Sequence, residues 1–174
     1  MKNRIYTFLW CCMLTTTFSA EAQPAEVSDF IEKTFRQHQL LEPQAPFSDL
    51  IEFMQLGCDA TGRPTRAIAY REIESFKPIT GVVVVDITDD GFILRSASFP
   101  DILKIKNGKN RRQVESIIKP IKEIAFDPHS GKRAVNTVSG ATRYGAKALN
   151  YINYMARRAA LELEKKINQR ANNP

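Results

Sequence analysis

The carboxyl-terminal part of the chain carries one long helical pattern, and this pattern limits the folds open to the sequence. After Thr142, apolar residues recur three and four positions apart, which places them on one face of a helix. Several of them are alanines, which allow a helix to pack closely against a sheet. The members of this face are Leu149, Ile152, Ala156, Ala159 and Leu163. We therefore expect a long carboxyl-terminal helix that covers a β-sheet.

The middle of the chain predicts the sheet. Strands are expected over 65–73, 81–87 and 92–99, and the second of these is a β-branched run typical of a central strand. Asp90-Gly91 predicts a tight hairpin between the last two strands, because this pair tolerates the positive φ angles of such turns. The predicted fold class is α+β: a small, mostly antiparallel sheet packed against the long helix.

Shorter segments complete the predicted architecture. Amphipathic spacing predicts an extra amino-terminal helix over 27–38 and a second, short helix over 47–56. A basic loop is expected over 104–112, and a helix over 111–118. The remaining predicted elements are two short strands, 121–126 and 133–138.

The first residues are typical of an export signal. Two basic residues precede an apolar run over 5–18, and Ala20-Glu21-Ala22 supplies the small-x-small pattern of a signal peptidase site. The run is short for a bilayer crossing, which favours cleavage over the alternative of an uncleaved membrane anchor. We therefore predict a signal peptide over 1–22 and a periplasmic or otherwise extracytoplasmic protein.

Cleavage there leaves residues 23–174, which suits a single domain with its core over about 65–166. The net charge of +6 is spread among mixed charges with no basic, aromatic stripe, so nucleic acid is not expected as a partner. Cys58 would be the only cysteine left, which excludes an internal disulfide. With only His38 and His129, a multi-histidine metal site is also excluded. No nucleophile–base pair is evident, and we assign no catalytic residue.

Small and hydroxylated residues stand immediately before the long helical pattern. Ser139 is a good N-cap, and Gly140, Ala141 and Thr142 would follow it in the first turn. Free backbone N–H groups and the positive end of the helix dipole favour an anion at such a turn. Local physics thus leaves two interpretations open: an ordinary helix cap, or an attachment point for an anionic group at Thr142.

The stretch from Asn136 to Thr142 reads NTVSGAT and resembles the motif of the FMN-binding domain family, Asp-x-x-Ser/Thr-Gly-Ala-Thr/Ser. Members include the flavin-carrying C and G subunits of bacterial sodium-pumping and Rnf-type redox complexes and the periplasmic part of the nitrous-oxide regulator. In that family a flavin transferase esterifies FMN, through its phosphate, to the last hydroxyl residue. The resemblance implies that Thr142 is the acceptor and that Ser139, Gly140 and Ala141 shape the turn around the phosphate. The predicted hairpin upstream also looks like that of the family.

Two positions depart from the family pattern. Asn136 replaces the leading acid and keeps its size and hydrogen bonding but not its charge, so it bears on recognition by the transferase. Tyr144 stands where the family often has Thr or Ser. This ring either stacks on the flavin, as aromatic faces do, or packs in the core.

The resemblance implies an exported electron-transfer flavoprotein with FMN attached through a phosphoester to Thr142. An FAD-dependent flavin transferase would mature it, and redox proteins or a membrane electron-transfer complex would be its partners. The protein would be an electron carrier more than a stand-alone enzyme. The alternative is an exported module of the same fold without covalent flavin, acting as a reversible flavin binder or as a scaffold of a membrane redox complex.

Overall fold

A computed structural model of the protein describes residues 25–41, 51, 53–136 and 143–172. The predicted signal peptide and the motif residues Ser139, Gly140, Ala141 and Thr142 lie outside this range. Tyr144 belongs to the long helix, but its side chain also lies outside the description. Among the helices of the described ranges, none combines the length and the apolar character that a membrane crossing requires.

Six antiparallel strands form one sheet in the described chain, and they lie side by side in chain order. Every neighbouring pair is antiparallel. The strands are β1 (Gln39–Leu40), β2 (Phe53–Cys58), β3 (Pro64–Ile73), β4 (Ile79–Thr88), β5 (Gly91–Ser98) and β6 (Lys122–Phe126). The predicted α+β class with an antiparallel sheet is confirmed.

The hairpin between β4 and β5 follows its prediction. Thr88 and Gly91 pair across the turn, and Gly91 has a φ of 116°, a conformation that side chains disfavour. β4 is bonded to β3 on one side and to β5 on the other, so the β-branched run is central. Its valines are buried because both faces of the sheet are covered there.

The helix α3 (Arg143–Asn172) packs on one face of the sheet, chiefly over β3 and β4 rather than over the β4–β5 hairpin alone. All five residues of the predicted apolar face are buried. The sheet residues in the same core are also small, and they include Ala67, Ala69, Val83 and Val85. The predicted long helix is confirmed. The helix α2 (Gly108–Ile118) joins this core through Val114 and Ile117.

The predicted amino-terminal helix is α1 (Ala25–Thr34), and it packs on the opposite face of the sheet. Val27, Ile31 and Phe35 form a second apolar cluster with side chains of β3 and β4. Phe35 lies directly over Gly57, where an added Cβ would collide with its ring. A glycine is therefore needed in β2 for the close approach of the segment that follows α1.

The predicted second helix over 47–56 is wrong where the structure describes it, because residues 53–56 belong to β2. Met54 and Leu56 face the α3 core, while Phe53 packs with the α1 cluster on the other face. Gln55, also in this strand, is buried as well. Because both faces of β2 are covered, the strand lacks the apolar–polar alternation that identifies a strand in a sequence.

Two smaller expectations are also corrected. The basic loop over 104–112 ends early, because Asn107 Oδ1 accepts the backbone N–H groups of Lys109 and Asn110 at 3.0 and 3.1 Å and starts α2 at Gly108. The strand predicted over 133–138 is absent from residues 133–136, while 137 and 138 lie outside the described residues. The strand predicted over 121–126 is confirmed as β6.

A buried carboxylate fastens α1 to the sheet. Asp86 on β4 accepts Nε and Nη2 of Arg66 at 2.6 and 2.8 Å and Nε of Arg95 at 2.9 Å. Arg66 also donates Nη1 to the backbone carbonyl of Thr34 at 2.7 Å, at the last residue of α1. Burial raises the pKa of Asp86, but the hydrogen bonds and charges of Arg66 and Arg95 outweigh it and hold the pKa below its ordinary value.

We expect Asp86→Asn to lower the free energy of unfolding at pH 7 by about 3 kcal/mol, because it leaves Arg66 without its carboxylate and removes the buried one of the two carboxylates that Arg95 engages. Since the folded-state pKa is depressed, this stabilisation is full above the unfolded pKa of about 3.9 and is lost as the pH falls through the folded pKa. The difference between wild type and variant should therefore shrink at pH 3. Urea unfolding followed by circular dichroism measures it at both pH values.

The matched control is Asp90→Asn, the same change at an exposed position of the β4–β5 turn. It should leave the stability within about 0.5 kcal/mol of wild type. A difference for Asp86→Asn that is equally large at pH 3 and pH 7 would contradict the ionic account of this contact.

Candidate functional site

The segment that leads into the NTVSGAT motif is fastened along one flank of α3. Arg157 Nε donates to the carbonyl of Pro128 at 2.7 Å, and His129 Nε2 lies 2.9 Å from Glu164 Oε2. Further along the segment, Val135 meets Asn153. Of these contacts, that of Val135 lies nearest the amino-terminal end of α3, the end that directly follows the motif in the sequence.

Asn153 holds the last part of this segment. Its Oδ1 accepts the N–H of Val135 at 2.8 Å, and its Nδ2 donates to the carbonyl of Val135 at 3.0 Å and to that of Leu149 at 2.9 Å. One side chain thus takes both backbone groups of Val135, the groups that a neighbouring strand would otherwise use. This contact explains why no strand forms at 133–136.

The motif therefore lies between two fixed points of the described structure, Val135 at its start and Arg143 at its end. Asn153 follows Arg143 by ten residues, so the two points are about 15 Å apart along the helix axis. Asn136, the position that replaces the family's acid, is exposed. Its side chain is therefore open to contact by another protein.

The first turn of α3 contains no acidic residue, so no carboxylate on that turn opposes an anion at the helix start. Two basic residues, Arg143 and Lys147, also stand at this end of the helix. The side chain of Arg143 lies outside the description, and Lys147 forms an ion pair with Glu74 on the strand connection beneath. The charge of Lys147 is thus partly neutralised by Glu74.

Two adjoining cavities lie beside the same segment, nearer the middle of α3. The smaller has a volume of about 160 Å³ and lies between the segment and the α3 side chains Asn153, Tyr154 and Arg157. The larger, of about 350 Å³, extends past Asp127 and Ser130. The two cavities share the lining residues Phe126, Lys132 and Arg133, and we refer to them together as the flank cleft.

The flank cleft is the part of the site that the sequence did not predict. Of its basic residues, Arg133 was expected to begin a strand and Lys132 directly precedes it, while Arg157 lies toward a polar face of α3. One feature of the sequence points to this side of the helix: the polar residues Asn153 and Arg157 are four positions apart and therefore lie on the same side of α3. This signal identifies a flank but does not reveal what packs against it.

The remaining candidates from the sequence lie elsewhere. Cys58 is buried and has no disulfide partner among the described residues, and burial raises the pKa of its thiol, which disfavours the reactive thiolate. His129 is exposed, and its ring nitrogen contacts Glu164. Near the start of α3, the guanidinium of Arg71 lies 4.3 Å from the centroid of the Tyr151 ring.

Comparison of the chain with protein-family models, with curated proteins and with solved structures finds no match. The case for a function therefore rests on the motif and on the geometry around it.

We expect Asn153→Ala to detach the segment before the motif from α3. The variant loses three hydrogen bonds, two of them to Val135, and should lower the free energy of unfolding by about 1–3 kcal/mol. Hydrogen exchange of the Val135 amide, followed by mass spectrometry of peptides, should accelerate more than exchange in the strands. Asn150→Ala is the matched control, because Asn150 is exposed on the same helix. Unchanged exchange at Val135 would contradict the role of Asn153.

Proposed function

We propose that the protein is an exported electron-transfer flavoprotein that carries FMN on Thr142 through a phosphoester. The observation that carries this proposal is the order NTVSGAT followed directly by the first residue of α3. The last hydroxyl residue of the motif immediately precedes a helix start, where backbone N–H groups and the helix dipole favour a phosphate.

The described residues around the motif fit such a group. The first turn of α3 carries no acid that would repel a phosphate, and Asn153 fixes the chain on the other side of the motif. Asn136 is exposed, where a maturation enzyme could contact it. These features support attachment at the motif, because they leave the anion unopposed by an acid of the first turn and leave Asn136 open to the enzyme.

Attachment would need an FAD-dependent flavin transferase as a partner. The hydroxyl of Thr142 would form the new bond to the phosphorus of the FMN half of FAD, the pyrophosphate bond would break, and AMP would leave. The bound isoalloxazine would supply the redox chemistry, accepting and donating electrons, while the protein would fix its position. Redox proteins or a membrane electron-transfer complex would then exchange electrons with it.

A tether suits an exported carrier, since a covalent bond keeps the cofactor from diffusing out of an open compartment. The predicted signal peptide over 1–22 would place the protein in the periplasm or another extracytoplasmic space. The second candidate, a reversible flavin binder or scaffold without covalent flavin, is favoured by one observation, the uncharged Asn136 at the position of the family's acid.

The attachment is tested by Thr142→Ala. We expect the wild-type protein, co-expressed with a flavin transferase, to give a fluorescent band on a denaturing gel under ultraviolet light, and the variant to give none. Thr142→Ser should keep the band, because it keeps the hydroxyl. Thr137→Ala, the same deletion at another threonine of the motif, should keep it as well. A dark wild-type band beside a transferase that modifies its own known substrate would contradict the proposal.

The effect of the missing acid is tested by Asn136→Asp. If the transferase prefers a carboxylate at this exposed position, the variant should show a larger flavinylated fraction than wild type by intact mass. The control is Asn150→Asp, which makes the same change at an exposed position of α3. An equal fraction in wild type and Asn136→Asp would mean that the amide already meets the requirement.

A further inference from the structure

We propose that the flank cleft is a reversible binding site for a small phosphomonoester carried on an aromatic ring. This site is separate from the attachment at Thr142 and goes beyond the proposed flavoprotein function. It lies beside the middle of α3, where side chains rather than the helix start supply the positive charge.

Three cationic side chains line the cleft: Lys132, Arg133 and Arg157. No ion pair within the described chain engages any of them. Arg157 is held in place by its Nε bond to Pro128, which leaves its Nη groups for a ligand. Cations that are gathered around a cavity without carboxylate partners are suited to bind an anion from solution.

The charge of the cleft favours a dianion. Asp127 is the one carboxylate that lines it, and its Oδ1 accepts the N–H of His129 at 2.8 Å. Three cations against one carboxylate leave a surplus of two positive charges. A phosphomonoester carries a charge of about −2 above its second pKa of about 6, whereas a carboxylate carries only −1.

Aromatic side chains supply the second half of the recognition. Phe126 is shared by both cavities, and Tyr154 lines the smaller one from α3. These two side chains offer flat apolar surface beside the cations, to which a ring that carries the phosphate can pack. The larger cavity, of about 350 Å³, lies at the lower end of the range of about 300–1,000 Å³ typical of small-molecule sites.

The cleft is also built before any ligand arrives. Ser130 donates Oγ to the carbonyl of Asp127 at 2.8 Å, and Lys132 donates its N–H to Ser130 Oγ at 3.2 Å. Gly131 has a φ of 70°, which closes the turn and presents Lys132 and Arg133 next to it. Since this turn is bonded within itself and to α3, little ordering is required on binding.

Calorimetric titration of the full chain carrying Thr142→Ala tests the site, because no phosphoester to Thr142 can form in that protein. At pH 8 we expect phenyl phosphate to bind about tenfold more tightly than inorganic phosphate. A tenfold ratio of affinities corresponds to about 1.4 kcal/mol, and the burial of about 55 Å² of the apolar ring supplies this free energy. Benzoate should bind more weakly than phenyl phosphate. Affinity for phenyl phosphate should fall as the pH drops below about 6, where the dianion takes up a proton.

Lys132→Gln with Arg133→Gln should weaken the binding of phenyl phosphate by about tenfold or more, since charge-assisted hydrogen bonds are lost. Lys106→Gln with Lys109→Gln is the matched control, because it removes two exposed positive charges away from the cleft.

Absence of phenyl phosphate binding, or equal losses of affinity in the two double variants, would overturn the site. Equal affinity for inorganic phosphate or for benzoate would overturn the ligand class. Since every arm uses the Thr142→Ala protein, failure here leaves the attachment proposal untouched.

Discussion

The packing of small side chains between α3 and the sheet sets the geometry on which the rest of the structure depends. Ala148, Ala156, Ala159 and Ala160 are buried on the helix, and they share a core with small residues of β3 and β4. Small side chains on both the helix and the sheet allow the two to approach closely, and the close packing of a protein interior fixes the distance between them. Larger residues there would lift α3 away and move every group that the helix positions.

The groups that α3 positions lie on the flank next to its buried face. Asn153 and Arg157 are four residues apart, and Glu164 follows two turns later, so the three share one side of the helix. Each meets the segment that leads into the NTVSGAT motif. The distance between the apolar face of α3 and the sheet therefore determines where the motif begins and how wide the flank cleft is.

The sequence was sufficient to predict the elements whose residue pattern is set by one simple environment, such as a helix with one buried face or a tight turn. The face of α3 is buried on one side only, so its spacing predicts the helix and the five core residues. The β4–β5 hairpin was predictable because Asp-Gly fixes a turn locally. The fold class followed from these two features together, since a helix with one apolar face requires a sheet or another helix to cover it.

Sequence reasoning failed where tertiary contacts replace the local signal. β2 contributes Met54 and Leu56 to the core on the α3 side of the sheet and Phe53 to the α1 cluster on the other side, so the strand does not show the apolar–polar alternation that identifies a strand in a sequence. Val135 has strand-like neighbours, but the side chain of Asn153 takes its backbone groups. The motif itself was found from residue types alone. The flank cleft was not, because its cations come from a turn and a helix distant in sequence.

The proposed attachment site and the proposed site in the flank cleft would offer an anion two different environments along one helix. Arg157 lies about 20 Å along the helix axis from Arg143, since 14 residues separate them at about 1.5 Å each. A phosphate at the helix start would rely on backbone N–H groups, which act over the first turn only. A phosphate in the cleft would rely on exposed side-chain cations, whose attraction salt screens. The two proposed sites would therefore differ in their physical basis: the first would hold its anion by a covalent bond at the helix start, and the second would exchange its ligand with solution.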